Sequence, residues 1–275
     1  MYQWEKGLAK WQVGDTLYIS IPFTWLVKEA EKTAKNWKGK VLMGGPGLMK
    51  PTYCEGFSPV LFHNPAATYT TRGCPNRCPF CAVYKLEPDF IELTDYRPAP
   101  VICDNNFTAA TRKHQEMVIY RQRIYPLTDF NQGLEASRFT PELADLLGMI
   151  KCRVRFAFDS WDEETEVYEA IKLCRQRSTD DIGVYCLIGF DDTPEDARAR
   201  LELVRSWDIR PNPMRYQPLD AEHKNDYILP GSGWTEYEMR RIMKYYSRLR
   251  WYEHIPFEEF RWLDGKMLQA QLFQS

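Results

Sequence analysis

The chain has 275 residues, 44% hydrophobic and 27% charged, with a formal net charge of −2. That is enough for one large domain or two modest ones with a substantial core, and it excludes a global positive field that would hold nucleic acid by its phosphates. No apolar run approaches the roughly 20 residues that span a bilayer. The first fifteen residues, MYQWEKGLAKWQVGD, have no apolar h-region, so neither a secretory signal nor membrane association is expected.

The N-terminal 65 residues read as strand, helix and strand: DTLYISIPFTW, LVKEAEKTAKNW and GKVLMGG, closing on GGPGLMKP. One βαβ unit is too small to be a nucleotide-binding domain, and GGPG does not fit G-x-G-x-x-G. Its apolar strands cannot be buried by one helix. The unit is therefore expected to pack on the rest of the protein and to extend the sheet beside the next strand.

From residue 66 onward, short apolar runs alternate with amphipathic ones. Strands are expected at 66–73, 100–106, 125–133, 152–160, 182–190 and 209–219. Helices are expected at 108–123, 140–150, 162–177 and 193–207, with Thr140 as an N-cap, and with Pro141 and Pro194 in the first turns. Six β-then-α units predict a parallel sheet, because parallel strands need helical crossovers. The polar punctuation (DNN, NQG, DS, GFDD) falls after strands, at the carboxyl ends where α/β folds place their chemistry. A helix at 234–252, rich in Arg and Lys, and a non-repetitive tail complete a C-terminal segment, 221–275.

Five of the eight cysteines, Cys54, Cys103, Cys152, Cys174 and Cys186, stand alone, as buried free thiols do in a reducing, cytoplasmic protein. The other three share the stretch TRGCPNRCPFC as Cys74, Cys78 and Cys81. A C-x3-C-x2-C loop suits zinc or an iron–sulfur cluster. Structural zinc takes four protein ligands, so a fourth would have to come from Cys54, Cys103, His63, His114, His223 or His254. Three thiolates suit a cubane with one iron left open to a substrate.

This loop, placed after the first strand of a β/α series, resembles the radical S-adenosylmethionine (SAM) superfamily over roughly residues 66–219. The resemblance implies an α/β fold: a partial (β/α)6 TIM-like barrel over 66–220, carrying a small N-terminal βαβ extension and a C-terminal helix and tail. It implies that Cys74, Cys78 and Cys81 hold an oxygen-sensitive [4Fe–4S] cluster whose open iron takes the amino and carboxylate groups of SAM. Phe80, just before the last cysteine, corresponds to the family's adenine-contacting aromatic position. Asp104, Asn105 and Asn106 (DNN) end the strand that holds the SAM amino group, and Gln132 ends the third. FAFDS occupies the place of a G-x-E-S motif, giving Asp159 and Ser160, with Ala157 and Asp159 replacing Gly and Glu. LIGFDDTPED resembles the fifth-strand segment of the cobalamin-associated and methylthiotransferase branches, with Gly189 beside the adenine. The N-terminal unit is similar to a truncated cobalamin-binding domain, without the D-x-H-x-x-G motif.

The implied activity is reductive cleavage of SAM to a 5′-deoxyadenosyl radical that abstracts hydrogen from a substrate. It needs an external one-electron reductant of flavodoxin or ferredoxin type. Basic residues on helices 108–123 and 234–252 hint at a nucleoside or nucleic-acid substrate, against the commoner reading of a solvated helix face. Two alternatives stand beside this: a non-catalytic zinc-binding interaction module, and a cobalamin-dependent radical SAM methyltransferase. The first would be colourless, and the second would show a cobalamin absorption band.

Overall fold

In the computed structural model, which describes residues 4–49, 58–177, 179, 181–247, 249–263 and 266–267, the chain begins with a hairpin. Gly14 and Asp15 turn Ala9–Val13 (β1) back antiparallel on Thr16–Ser20 (β2), and Gly14 takes the positive φ that such a turn needs. Helix α1 (Val27–Lys35) then carries the chain to Lys40–Gly44 (β3), parallel to β2. Leu17, Ile19, Ile21 and Ala30 form a small core between this sheet and α1.

A short helix, α2 (Val60–His63), leads into Ala67–Thr68 (β4), the first strand of the main sheet. Next come Thr71–Arg72 (β5), the single-turn helix α3 (Val83–Leu86) and Ile91–Glu92 (β6), with β5 and β6 paired antiparallel. The main sheet resumes at Val101–Ile102 (β7) and continues through α4 (Arg112–Gln122), β8 (Thr128–Phe130), α5 (Pro141–Leu147), β9 (Cys152–Ala157), α6 (Glu164–Gln176), β10 (Asp181–Ile188), α7 (Pro194–Ser206) and β11 (Arg210–Arg215). Helix α8 (Glu236–Tyr245) and a two-strand hairpin, β12 (Trp262–Leu263) and β13 (Lys266–Met267), follow.

The protein is thus mixed α/β, with a six-stranded, all-parallel sheet in the order β4-β7-β8-β9-β10-β11. The order follows the chain, without the reversal that marks a doubly wound sheet. Two helices start at the expected caps: Thr140 accepts a hydrogen bond from Leu143 N at 3.2 Å, and Thr193 closes a capping box with Asp196, whereas α4 begins at Arg112 rather than 108, after a 3-10 turn at Phe107–Ala109. One face of the sheet is the core. Val154 and Phe156 of β9 and Val184, Cys186 and Ile188 of β10 cluster with apolar side chains of α4 to α7. The other face, with Arg153, Arg155, Tyr185 and Asn212, is only half-buried. Among the described residues no helix is long and apolar enough to cross a membrane.

Three expectations need correction. The N-terminal strands form their own sheet instead of extending the larger one. The outer edge of β4 is already occupied: Arg97 donates to the carbonyls of Pro65 (2.7 Å) and Ala67 (3.0 Å), which blocks strand addition. The first strand ends at Thr68 rather than running to 73, because the amides of Thr70 and Thr71 turn to the Asp104 carboxylate. The helix expected over 234–252 spans only Glu236–Tyr245. Beyond it Arg250 is left-handed, and a 3-10 turn at Trp251–Glu253 brings Tyr252 back onto Tyr246, so aromatic packing overrides helix propensity. Cys54 lies outside the described residues.

Candidate functional site

The three-cysteine loop joins β5 to α3 and is shaped before any side chain of the site is considered. Gly73 enters it with a φ of 72°, and a Cβ there would collide with the carbonyl of Asp89. Glu87, just past α3, gathers three donors: the Arg72 guanidinium, Gly73 N at 3.2 Å and Asn105 Nδ2 at 3.0 Å. Within the loop, Cys81 N donates to Cys78 O at 3.0 Å, closing a turn around Pro79. The thiols of Cys74, Cys78 and Cys81 are free and partly exposed. Two receive N–H donors: Val83 N lies 3.4 Å from Cys81 Sγ, and Asn106 Nδ2 lies 3.3 Å from Cys74 Sγ.

The thiols also sense one another. Burial pushes the Cys78 thiol up to about 11, and the neighbouring Cys81, Cys74, Asp159 and Glu163 push in the same direction. Burial likewise raises Cys81, aided by Cys74 and Asp159. Three thiols and two carboxylates therefore share one neighbourhood, at the carboxyl end of β9. The other described cysteines differ. Cys103 packs with Val60, Ala67 and Val101, and Cys152, Cys174 and Cys186 are buried in the main core.

The remaining site residues come from the strand ends. Asp159 Oδ1 accepts from Leu187 N at 3.2 Å, while Glu163 accepts from Asp159 N (2.6 Å) and Ser160 N (3.3 Å). Burial, and then the Glu163 charge, raises the Asp159 carboxyl to about 7. The Leu187 amide and the Arg200 charge pull the other way without offsetting this. This guanidinium, 2% exposed, donates to the carbonyls of Phe158, Asp159 and Leu187 and to Asp192 Oδ2 (2.6 Å). Asp192 in turn accepts from Gly189 N (2.8 Å) and Trp234 Nε1 (3.1 Å), which fixes the left-handed turn at Gly189. Phe80 meets Phe190 edge-on, with ring centroids 5.7 Å apart, and Phe190 meets Tyr216 at 4.8 Å.

The structure thus brings Phe80 beside the Gly189 turn, Asp159 beside the cysteines, and Asn105 against the loop through Glu87. Ser160 and Gln132 lie exposed, and Gln132 has no hydrogen-bond partner among the described residues. Asp104 is 3% exposed and faces the other way: its carboxylate accepts from Thr70 N (2.5 Å), the Thr70 hydroxyl and Thr71 N (3.0 Å). Desolvation still outweighs these bonds and lifts its carboxyl to about 6.

Sequence reasoning passed over Glu135, Glu163, Asp192 and Arg200. Glu163 was legible as the fourth position of S-x-x-E after Ser160. Arg200 was legible as an arginine set in the buried stripe of Ala197, Leu201 and Val204. Glu135 had no local signal. Burial opposes its ionisation, but hydrogen bonds from Asn106, Asn76 and Ser137 and the Arg138 charge outweigh it and hold its carboxyl below the usual range.

The donor set, three free thiols with N–H groups aimed at two sulfurs, fits a thiolate-ligated cluster. Among the described residues no three His, Cys, Asp or Glu side chains converge on a point where one metal ion could sit. A cubane makes a different demand, since its thiolates bind separate irons and need only share a rim. Compared with known proteins, the chain matches no family model and no curated sequence.

Proposed function

We propose that this chain is a radical SAM enzyme of the cytoplasm, and that its sequentially ordered sheet is a partial (β/α)6 barrel. The observation that carries the reading is the shared neighbourhood of Cys74, Cys78 and Cys81 with Asp159 at the carboxyl ends of a parallel sheet. A bound [4Fe–4S] cluster would supply one electron, delivered by a flavodoxin- or ferredoxin-type donor, for homolytic cleavage of SAM.

The chain's own residues do the rest. Cys74, Cys78 and Cys81 are the ligands, and the loop is held in shape by Glu87. Asp159 and Glu163 place negative charge where the cationic parts of SAM would lie, in surroundings that burial makes poorly screening. Phe80, with Phe190 behind it, and the Gly189 turn offer an apolar wall and backbone groups to the adenine. Asn105, Ser160 and Gln132 frame the rim. Asp104 acts indirectly, fixing Thr70 and Thr71 ahead of the loop. The substrate, a nucleoside or nucleic acid among the candidates, would meet the site from the strand-end side.

The test is anaerobic purification with metal analysis. About four iron and four sulfide per chain are expected, with a brown spectrum and slow release of 5′-deoxyadenosine from SAM after reduction. Stoichiometric zinc without iron would replace this reading with a zinc-binding module. A cobalamin band would move it to methyl transfer.

A further inference from the structure

Asn106 carries a hydrogen-bond arrangement that capping alone does not explain. It is 4% exposed, and both ends of its side-chain amide are engaged. Oδ1 accepts from the Thr108 hydroxyl at 2.8 Å and from Ala109 N at 3.2 Å, which caps the 3-10 turn Phe107–Ala109. Nδ2 donates to Glu135 Oε2 at 2.7 Å and to Cys74 Sγ at 3.3 Å. Two donors at one end and a carboxylate at the other leave one orientation for the amide, so the N–H toward sulfur follows from the network. Glu135 is itself held by Arg138 Nε at 2.9 Å and the Ser137 hydroxyl at 3.0 Å.

We infer that Asn106 is a positioning residue that sets the reduction potential of the iron–sulfur cluster by donating a hydrogen bond to the Cys74 ligand sulfur, with Glu135 aiming the amide. This rests on the cluster reading of the loop. A hydrogen bond to a ligand sulfur favours the more electron-rich state, so the reduced cluster gains more from it than the oxidised one. Carboxamide and carboxylate are nearly the same shape, which lets the two jobs of Asn106 be separated. Asn106→Asp keeps an oxygen to cap the turn, since Asp is as good a cap as Asn, but loses the donor. Asn106→Leu loses both without adding charge. Thr108→Val removes the hydroxyl that donates to Oδ1 and accepts from Glu135 N at 3.2 Å, while it keeps every group of the two Nδ2 bonds.

The experiment is an anaerobic redox titration, followed by electron paramagnetic resonance, of full-length protein whose iron and sulfide have been counted. For Asn106→Leu the one-electron reduction equilibrium is expected to fall about tenfold, equivalent to about 59 mV toward more negative potential. Asn106→Asp should shift the same way and further, and Thr108→Val should leave the potential in place. Full iron content with an unmoved potential in Asn106→Asp would overturn this inference while leaving the cluster reading intact. A parent protein that takes up no iron overturns both. Should neither Asn106 variant retain iron, the parent labelled with 15N-asparagine decides. A nitrogen hyperfine-coupled to the reduced, SAM-free cluster is expected, and its absence overturns the assignment.

Discussion

The amino and carboxyl ends of the main sheet's half-buried face handle charge in opposite ways. At the amino end Asp129, Arg153 and Asp181 lie side by side across β8, β9 and β10. Arg153 Nε donates to Asp181 at 2.8 Å, and one residue layer up Arg155 grips Asp129 and donates to Phe130 O at 3.0 Å. Acids there meet cations. At the carboxyl end burial raises both Asp159 and Glu163, the first helped by the Glu163 charge and the second by the Glu135 charge, beside thiols that are raised too, while Arg200 donates its hydrogen bonds to carbonyls and Asp192. The amino end is electrostatically closed and serves stability. At the carboxyl end, among the described residues, Asp159 and Glu163 enter no ion pair, an asymmetry expected where a parallel sheet carries a site.

The comparison breaks most visibly at the cysteines. Changing Cys74, Cys78 or Cys81 to Ala should abolish iron incorporation, whereas Cys152→Ala and Cys174→Ala, in the core, should leave it intact. Iron analysis checks this, and a Cys78→Ala protein with full iron would sink the cluster. Next in size is Arg200→Met, which strands the buried Asp192 carboxylate and three carbonyls. A loss of roughly 3–5 kcal/mol is expected in denaturant unfolding, as for other buried ion pairs stripped of one partner.

Asp159→Asn sharpens the contrast through binding. Losing a charged hydrogen-bond partner should weaken SAM by roughly 1.5–3 kcal/mol, about ten- to hundredfold, with the cluster spectrum unchanged. The pH dependence carries a sign. With its carboxyl at about 7, above the ordinary value of about 3.9, the folded chain holds this proton more tightly than the unfolded chain does. Its contribution to stability is therefore present below pH of about 4 and is lost as pH rises through 7. A cation prefers the ionised form, so SAM affinity should climb from pH 6 to 8 in the parent and stay flat in Asp159→Asn, as read by calorimetry. The smallest effect belongs to the amino end. The Arg153–Asp181 pair is 35% and 49% exposed, so Arg153→Met should cost under about 1 kcal/mol and alter neither iron content nor SAM affinity.

Periodicity made the main sheet legible. CRVRFA and DIGVYCLI alternate, and the Thr-Pro pairs announce their helices. The short strands β4 and β7 were less readable, because their lengths depend on Asp104 drawing the Thr70 and Thr71 amides out of line, a contact 34 residues apart for Thr70. The β1–β2 hairpin did have a local signal, Gly14-Asp15 between AKWQV and TLYIS, which reading the unit as βαβ obscured. At the site, the cysteines and Asp159 stood out by type and spacing. Glu135 did not, since its importance arises from partners that only the folded chain brings near.

The clasp around Glu87 has a consequence for assembly. A flexible loop presenting three ligands must lose its conformational freedom when it captures a cluster, and that loss subtracts from affinity. Here Glu87 ties Arg72 and Gly73, at the loop entry, to Asn105 on a neighbouring strand end, and the glycine geometry admits one path. The loop's entropy is therefore surrendered when the protein folds, before the proposed cluster would bind. Glu87→Ala should for this reason slow or weaken cluster loading while leaving every ligand in the chain, a chelate made poorer only by its slack.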